Sequence, residues 1–149
     1  MLDPVLEPFH VITKDSSFHE IFKLKKDWRW ENLDSLKKDF FSGKREKGGA
    51  VDEGVLSLGG EHLKNDGTIN YKINKRVSQE FADNNKNLFI EEKDILIVKD
   101  GATTGKVSYV YPDSIEESSM INEHLFCLRL KNKEYSQYVF EVLRSEVGK

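Results

Sequence analysis

The segment DILIVKDGATTGKVSYV, residues 94 to 110, sets out an apolar run, a loop with two glycines and a lysine. That is the outline of a nucleotide-phosphate loop. Such a loop needs G-x-x-x-x-G-K-[ST], so that backbone N–H groups wrap the phosphates and the final hydroxyl reaches Mg²⁺. Here Gly101 and Gly105 enclose three residues rather than four, and Lys106 is followed by Val107, which offers no metal ligand. Val107, Tyr109 and Tyr111 alternate with Ser108 and Val110, a strand pattern. With no helix following, no helix N-terminus is available to hold a phosphate. The segment reads as strand–loop–strand, and its function must be sought elsewhere.

Other reactive residue types fall into no catalytic spacing. His10, His19, His62 and His124 form no H-E-x-x-H or paired metal motif, and the single Cys127 makes neither a zinc knuckle nor an internal disulfide. Cys127 lies in LFCLRL and reads as a buried, inert thiol. Glu61-His62 and Glu123-His124 each set a carboxylate beside an imidazole. Neighbours on a strand point to opposite faces, so neither dipeptide is a dyad by itself. Glu91-Glu92-Lys93 and Pro112-Asp113 contain fragments of a nuclease carboxylate–lysine motif in reverse order, which chance explains. No cofactor is expected, and the chain reads as non-catalytic. A hydrolase using His62 or His124 is the enzymatic alternative.

The elements that must hold these residues follow from composition and pattern. At 149 residues, 38% hydrophobic and 33% charged, the chain suits one domain with a real core. No apolar run approaches a membrane span, MLDPVLEPFH lacks a signal-peptide plan, and a cytoplasmic location is expected. Residues 1–20 hold two of the three prolines and read as an arm or linker, with the domain at 21–149. Ser17 and Glu20 are spaced as a capping box for a short helix. Leu33, Leu36, Phe40 and Phe41, closed by Gly43, predict a second helix. KREKGGAVDEG is a basic, glycine-rich loop, GVLSLGG a strand, KNDGTINY an Asp-Gly turn, and SQEFADN a two-turn helix capped by Ser78. MINEHLFCLRL predicts one or two strands. EYSQYVFEVLRSEVGK is the clearest helix, with Tyr138, Val142, Phe140 and Leu143 on its buried side. The fold class is α+β: a single domain with a small mixed or antiparallel sheet, flanking short helices and a C-terminal helix. Charge is polarised. Residues 23–47 carry nine Lys/Arg against five Asp/Glu, whereas 112–123 carry Asp113, Glu116, Glu117 and Glu123 with no base.

Taken in order, GVLSLGGEHLKNDGTINYKINKRVSQEF, KNLFIEEKDILIVKDGATTGKVSYV, INEHLFCLRL and YSQYVFEVLRSEVG resemble the target recognition domain of type I restriction–modification specificity subunits. The matching core is Asp94, Ile95, Leu96, Gly101, Thr104, Gly105, Lys106 and Asn122, with Trp30, Leu33 and Gly43 fitting a weaker opening. The resemblance spans roughly residues 28 to 149, through an ordered set of motifs of which none is diagnostic alone. Two features depart from it: Lys93 stands where a glycine is usual, and the family's full subunit carries two such domains joined by long helices. A half-subunit, a single domain and the recognition module of a fused methyltransferase all remain open.

The resemblance implies a module that reads double-stranded DNA and places an adenine methyltransferase subunit and, in the full complex, a restriction subunit on the target. It implies DNA contact through loops, by Lys44, Arg45, Lys47, Asn65, Lys72, Asn74, Arg76, Thr103, Thr104 and Lys106. Lys/Arg on loops suit phosphates, whereas Arg, Asn and Thr have donor and acceptor patterns suited to base edges. Each has a plainer reading as a solvated or turn-forming residue. A protein-interaction module, docking through the acidic 112–123 segment and the C-terminal helix, is the alternative from another class.

Overall fold

Short apolar runs bounded by turns fold into strands and brief helices in the computed structural model, which describes residues 9–11 and 24–145. Strand β1 (Phe9–Val11) lies within the stretch expected to be an arm and pairs in parallel with β2 (Arg29–Glu31). Asn32 caps α1 (Leu33–Leu36) by accepting the Asp34 N–H at 2.9 Å. There follow β3 (Lys37–Ser42), β4 (Val55–Leu58) and β5 (Arg76–Val77). Helix α2 (Gln79–Asn84) opens as the sequence predicts, with the Ser78 hydroxyl accepting the Phe81 N–H at 3.1 Å. Then come β6 (Ile95–Val98), β7 (Val107–Tyr109), β8 (Ser119–Ile121), β9 (Leu125–Leu130) and α3 (Ser136–Arg144). The capping box expected at Ser17 and Glu20 lies outside the described residues.

Two sheets carry the domain, in the orders β3-β9-β6-β7 and β5-β4-β8. The first is antiparallel throughout, and the second joins β4 to β8 in parallel. Alternation along β6 and β9 makes the four-stranded sheet the middle layer. Leu96, Val98, Leu125 and Cys127 face Leu56, Leu58 and Ile121 of the other sheet. Ile95, Leu128 and Leu130 face Val139 and Phe140 of α3. A third cluster, Val77, Ala82, Leu88 and Met120, lies under α2. Burial raises the Cys127 thiol pKa well above its ordinary value, with nearby Asp94 adding to the effect.

One expectation about a helix is corrected. The helix predicted from Leu33 to Gly43 is a single turn, after which the chain becomes β3. Leu33, Leu36 and Phe40 fit a helical period, but pairing of Phe40 with Leu128 and Phe41 with Cys127 satisfies the backbone in a strand. Phe41 then packs inward against the core, while Phe40 stays 49% exposed and meets Phe126 at 4.9 Å between ring centroids. On α3 the fully buried residues are Ser136, Val139 and Phe140; Tyr138 and Leu143 pack at the margin and Val142 is half-buried. Tyr109 stacks on Phe140 at 5.4 Å, which fixes the rotation of the helix.

A buried ion pair ties the centre of the four-stranded sheet to the segment before β6. Asp94 is fully buried and Arg129, on β9, is 8% exposed. Arg129 donates Nε–H to Asp94 Oδ1 at 2.8 Å and Nη2–H to Oδ2 at 2.7 Å, a two-pronged pair. Nη2 also donates to the Phe89 carbonyl at 3.2 Å, Nη1 lies 3.3 Å from Glu91 Oε1, and the guanidinium sits over the Phe41 ring. Asp94 in turn accepts the Glu91 N–H at 2.8 Å. Hydrogen bonding to Asp94 raises the Arg129 pKa above its ordinary value, so the charge is permanent.

Replacing Asp94 by Ala should cost about 3–5 kcal/mol, because it strands a buried cation. The double variant Asp94→Leu/Arg129→Met should cost less than that single change, since no charge is left without a partner. Urea denaturation of the three chains checks both statements.

The loop between β6 and β7 closes by Gly105 N–H donating to Val98 O at 2.9 Å and Lys106 N–H to Thr103 O at 3.0 Å. Gly101 and Gly105 have φ of 93° and 87°, with open space where a Cβ would stand. Gly67 also has φ of 87°, but a Cβ there would lie 2.5 Å from Phe140 Cζ. Gly101→Ala and Gly105→Ala should each cost about 1 kcal/mol from backbone strain alone. Gly67→Ala should cost about 2–4 kcal/mol, because Phe140 must also move. Denaturation midpoints of the three variants order them.

Candidate nucleic-acid interface

Strand register decides which loops meet. Ser42, the end of β3, pairs with Phe126, and Val98, the end of β6, pairs with Leu125. The loops after β3, after β6 and before β9 therefore share one end of the four-stranded sheet. At the same end Asn122 N–H donates to Leu58 O at 2.9 Å and Gly43 N–H to Leu125 O at 3.2 Å, bringing in the loops after β4 and β8. Gly43 is not a helix cap as expected. It passes so close to β8 that a Cβ would sit 2.2 Å from the Ile121 and Asn122 carbonyl oxygens. The Asn122 side chain accepts the His124 N–H at 2.9 Å and so shapes the turn into β9.

The first of two grooves on this edge has a volume of about 260 Å³, and Lys44, Arg45, Lys75 and Arg76 line it together with Glu61 and Glu123. Glu46 anchors the basic loop: its carboxylate accepts the Ser78 N–H at 2.8 Å and the Ser78 hydroxyl. Arg76 is fully engaged. It forms a two-pronged pair with Glu117, both bonds at 2.9 Å, and donates to Asn74 Oδ1 at 2.7 Å and Gly54 O at 3.0 Å. Its hydrogen bond holds the Glu117 carboxyl below the usual carboxylate range. Lys75 pairs with Glu61; desolvation pushes that carboxyl up, and the Lys75 contact with other hydrogen bonding brings it below its ordinary value. Arg45 is 74% exposed, with its Nε 3.9 Å from Glu123 Oε1.

The second groove, about 550 Å³, is lined by Asn65, Thr103, Thr104, Gly105, Lys106 and Arg144, with Val107 at its base. Asn65 and Thr103 are exposed, and Thr103 Oγ1 lies beside Gly60, in the turn after β4. Thr104 donates its hydroxyl to Gly101 O at 2.7 Å, and Lys106 Nζ donates to Leu63 O at 3.1 Å, so both help to build the loop. Arg144 lies over the Phe140 ring and donates to Asp66 O at 3.2 Å. His124 lines the first groove, and its Nδ1 lies 2.5 Å from Asp100 Oδ1, next to Gly101.

Of the residues expected to touch DNA, Lys44, Arg45 and Arg76 share the first groove and Asn65, Thr103, Thr104 and Lys106 the second. Lys47 lines a shallow recess with Arg45, while Lys72 and Asn74 line neither groove. Sequence reasoning missed Lys75, His124 and Arg144 as groove residues. Lys75 lies between the named Asn74 and Arg76, and Arg144 is the basic residue in the last turn of α3, which was the available signal. His62 is fully buried: Nδ1 accepts the Gly59 N–H and Nε2 donates to Ile73 O, both at 3.0 Å. Those two bonds hold the ring in a structural role. Among the described residues no group of three or more His, Cys, Asp or Glu could hold a metal ion, and no helix is long and apolar enough to cross a membrane.

No family model and no curated protein matches the chain. Solved structures do. The HsdS subunit from Thermoanaerobacter tengcongensis matches at a TM-score of 0.51 and 16% identity, over 86% of this chain and 30% of that one. A chain from a study of complex assembly and conformational transition in the type I restriction–modification system matches at 0.57 and 19%, over 89% of this chain and 33% of that one. This chain spans about a third of the length of those proteins. Over that span, it has the fold found in type I restriction–modification S subunits.

Proposed function

We propose that the chain is a non-catalytic DNA target recognition domain that directs an adenine methyltransferase subunit, and with it a restriction subunit, to a specific duplex sequence. The observation that carries the reading is the gathering of the loops after β3, β4, β6 and β8 at one end of two sheets, with Lys44, Arg45 and Lys75 in one groove and Asn65, Thr103 and Arg144 in the next. Ammonium groups on a loop edge suit phosphates and fix register, while amide, hydroxyl and guanidinium groups suit base edges. The fold shared with S subunits supports the same reading. In this role the polar turns need no metal, cofactor or nucleophile, and the chain works in the cytoplasm beside DNA.

Lys44→Gln and Lys75→Gln should weaken binding to all duplexes alike and flatten the salt dependence by about one unit per lost phosphate contact. Asn65→Ala should instead relax preference at one base position, at a cost of about 1–3 kcal/mol. Arg76→Glu belongs to a different class: facing Glu117, it should lower the melting temperature before it changes any DNA preference. Salt-titrated binding to a randomised duplex pool, alongside thermal melts, distinguishes these outcomes. Unchanged affinity and preference in the Lys and Asn variants would reject this edge as the DNA face.

A further inference from the structure

Arg45 and Glu123 differ from the other charged pairs on this edge. Arg76 has its donors taken by Glu117, Asn74 and Gly54, and Glu46 is bound to Ser78. Arg45 makes no hydrogen bond to another described residue; among the described residues its ion-pair partner is Glu123, at 3.9 Å, and the side chain is 74% exposed. Glu123 is 31% exposed and is flanked on its other side by His124, whose Nε2 lies 3.5 Å from the same Oε1. His124 is held in turn by Asp100. The result is an outward-facing guanidinium beside an oriented carboxylate, in the first groove.

A carboxylate on a DNA-facing edge is repelled by phosphates and can only accept hydrogen bonds. In the major groove it is matched by an exocyclic amino group, and cytosine N4 presents one with no acceptor on the same base. The guanine paired with that cytosine presents O6 and N7, the acceptors that suit an arginine fork. A neighbouring donor and acceptor in the protein therefore match the neighbouring acceptor and donor of one base pair. Resting on the DNA-recognition reading above, we infer that Arg45 and Glu123 together read a single C·G base pair, Arg45 on guanine and Glu123 on cytosine. His124 is the positioning residue that keeps the Glu123 carboxylate turned outward.

The test is selection from a randomised duplex library with the full chain, as wild type and as Arg45→Ala, Glu123→Ala and Arg45→Ala/Glu123→Ala. The wild type should require C·G at one position, and both single variants should lose discrimination there by about 5- to 150-fold. The double variant should lose little more than either single one, as expected for groups that act together. Glu123→Ala should also bind random duplex more tightly, since a charge that repels phosphates is gone. Glu123→Gln serves as a second variant and should move preference at that position towards A·T, because Gln pairs with adenine.

Several results would overturn the inference. Preference profiles identical to wild type would do so, as would relaxation at two different positions. A uniform affinity loss on Arg45→Ala, with the salt slope flatter by about one unit and no change in preference, would make Arg45 a phosphate contact. The wild-type arm alone tests the underlying reading: if it selects no sequence at low salt, the DNA-recognition proposal fails and this inference with it.

Discussion

The Asp94–Arg129 pair is the constraint on which the domain's layout rests. Arg129 projects from β9, the strand that hydrogen-bonds to both β3 and β6, and it faces the interior between the sheets. Burying a cation there is unfavourable unless its donors are matched, and Asp94, the Phe89 carbonyl and Glu91 match them. All three acceptors lie in the short stretch that leads into β6, so a single guanidinium sets where that strand begins. Once β6 is fixed against β9, the turn that carries Thr103 and Thr104 emerges at a fixed height beside the turn before β9. The Asp94 of the motif thus acts at the end of the sheet opposite to the one that carries the candidate interface.

The division of labour between the two ends follows from this. At the end where β6 begins, polar groups are used internally: Lys93 pairs with Glu134, Lys133 with Glu91, and Asp113 N–H with Glu92. At the other end, some polar groups on loops present their tips to solvent, as with Asn65, Thr103 and Arg45. Rigid strands carrying variable loops at one end allow binding residues to change without disturbing the core. The overall acidic balance of the chain, with a pI near 5.8, does not contradict a cationic edge, because several carboxylates are committed to capping and pairing.

What was legible in the sequence was local. Ser78 lies before an apolar-periodic run, and a cap depends only on residues within one turn. The strands β4, β6, β7 and β9 are apolar runs bounded by turn residues, so their identity needed no distant information. The β3 segment failed because its partner is β9, far along the chain, and Leu33, Leu36 and Phe40 satisfy a helical period equally well. Lys93 shows the limit of a motif. It stands where the resembling family has glycine, yet its φ is 70°, so the left-handed turn is kept and the Glu134 ion pair at 3.2 Å helps to hold it. In the site, residue type pointed to Arg76 and Asn74, but only coordinates reveal that they satisfy each other and Glu117.

The parallel pairing of β4 with β8 has a consequence for how the chain reaches this structure. Leu56 meets Ser119 and Leu58 meets Ile121, so about sixty residues, including the whole β6–β7 hairpin, are threaded between the partners. Closing so long a segment gives no contact energy until its chain entropy has already been lost. The hairpin is local and can form early, whereas one edge of β4 must wait, covered by β5 on its other side alone, until β8 arrives. During synthesis that edge stays open while the intervening residues are made, and an unpaired apolar edge invites pairing with other chains. Docking of β8 onto β4 also brings Asn122 to Leu58 and completes the loop edge.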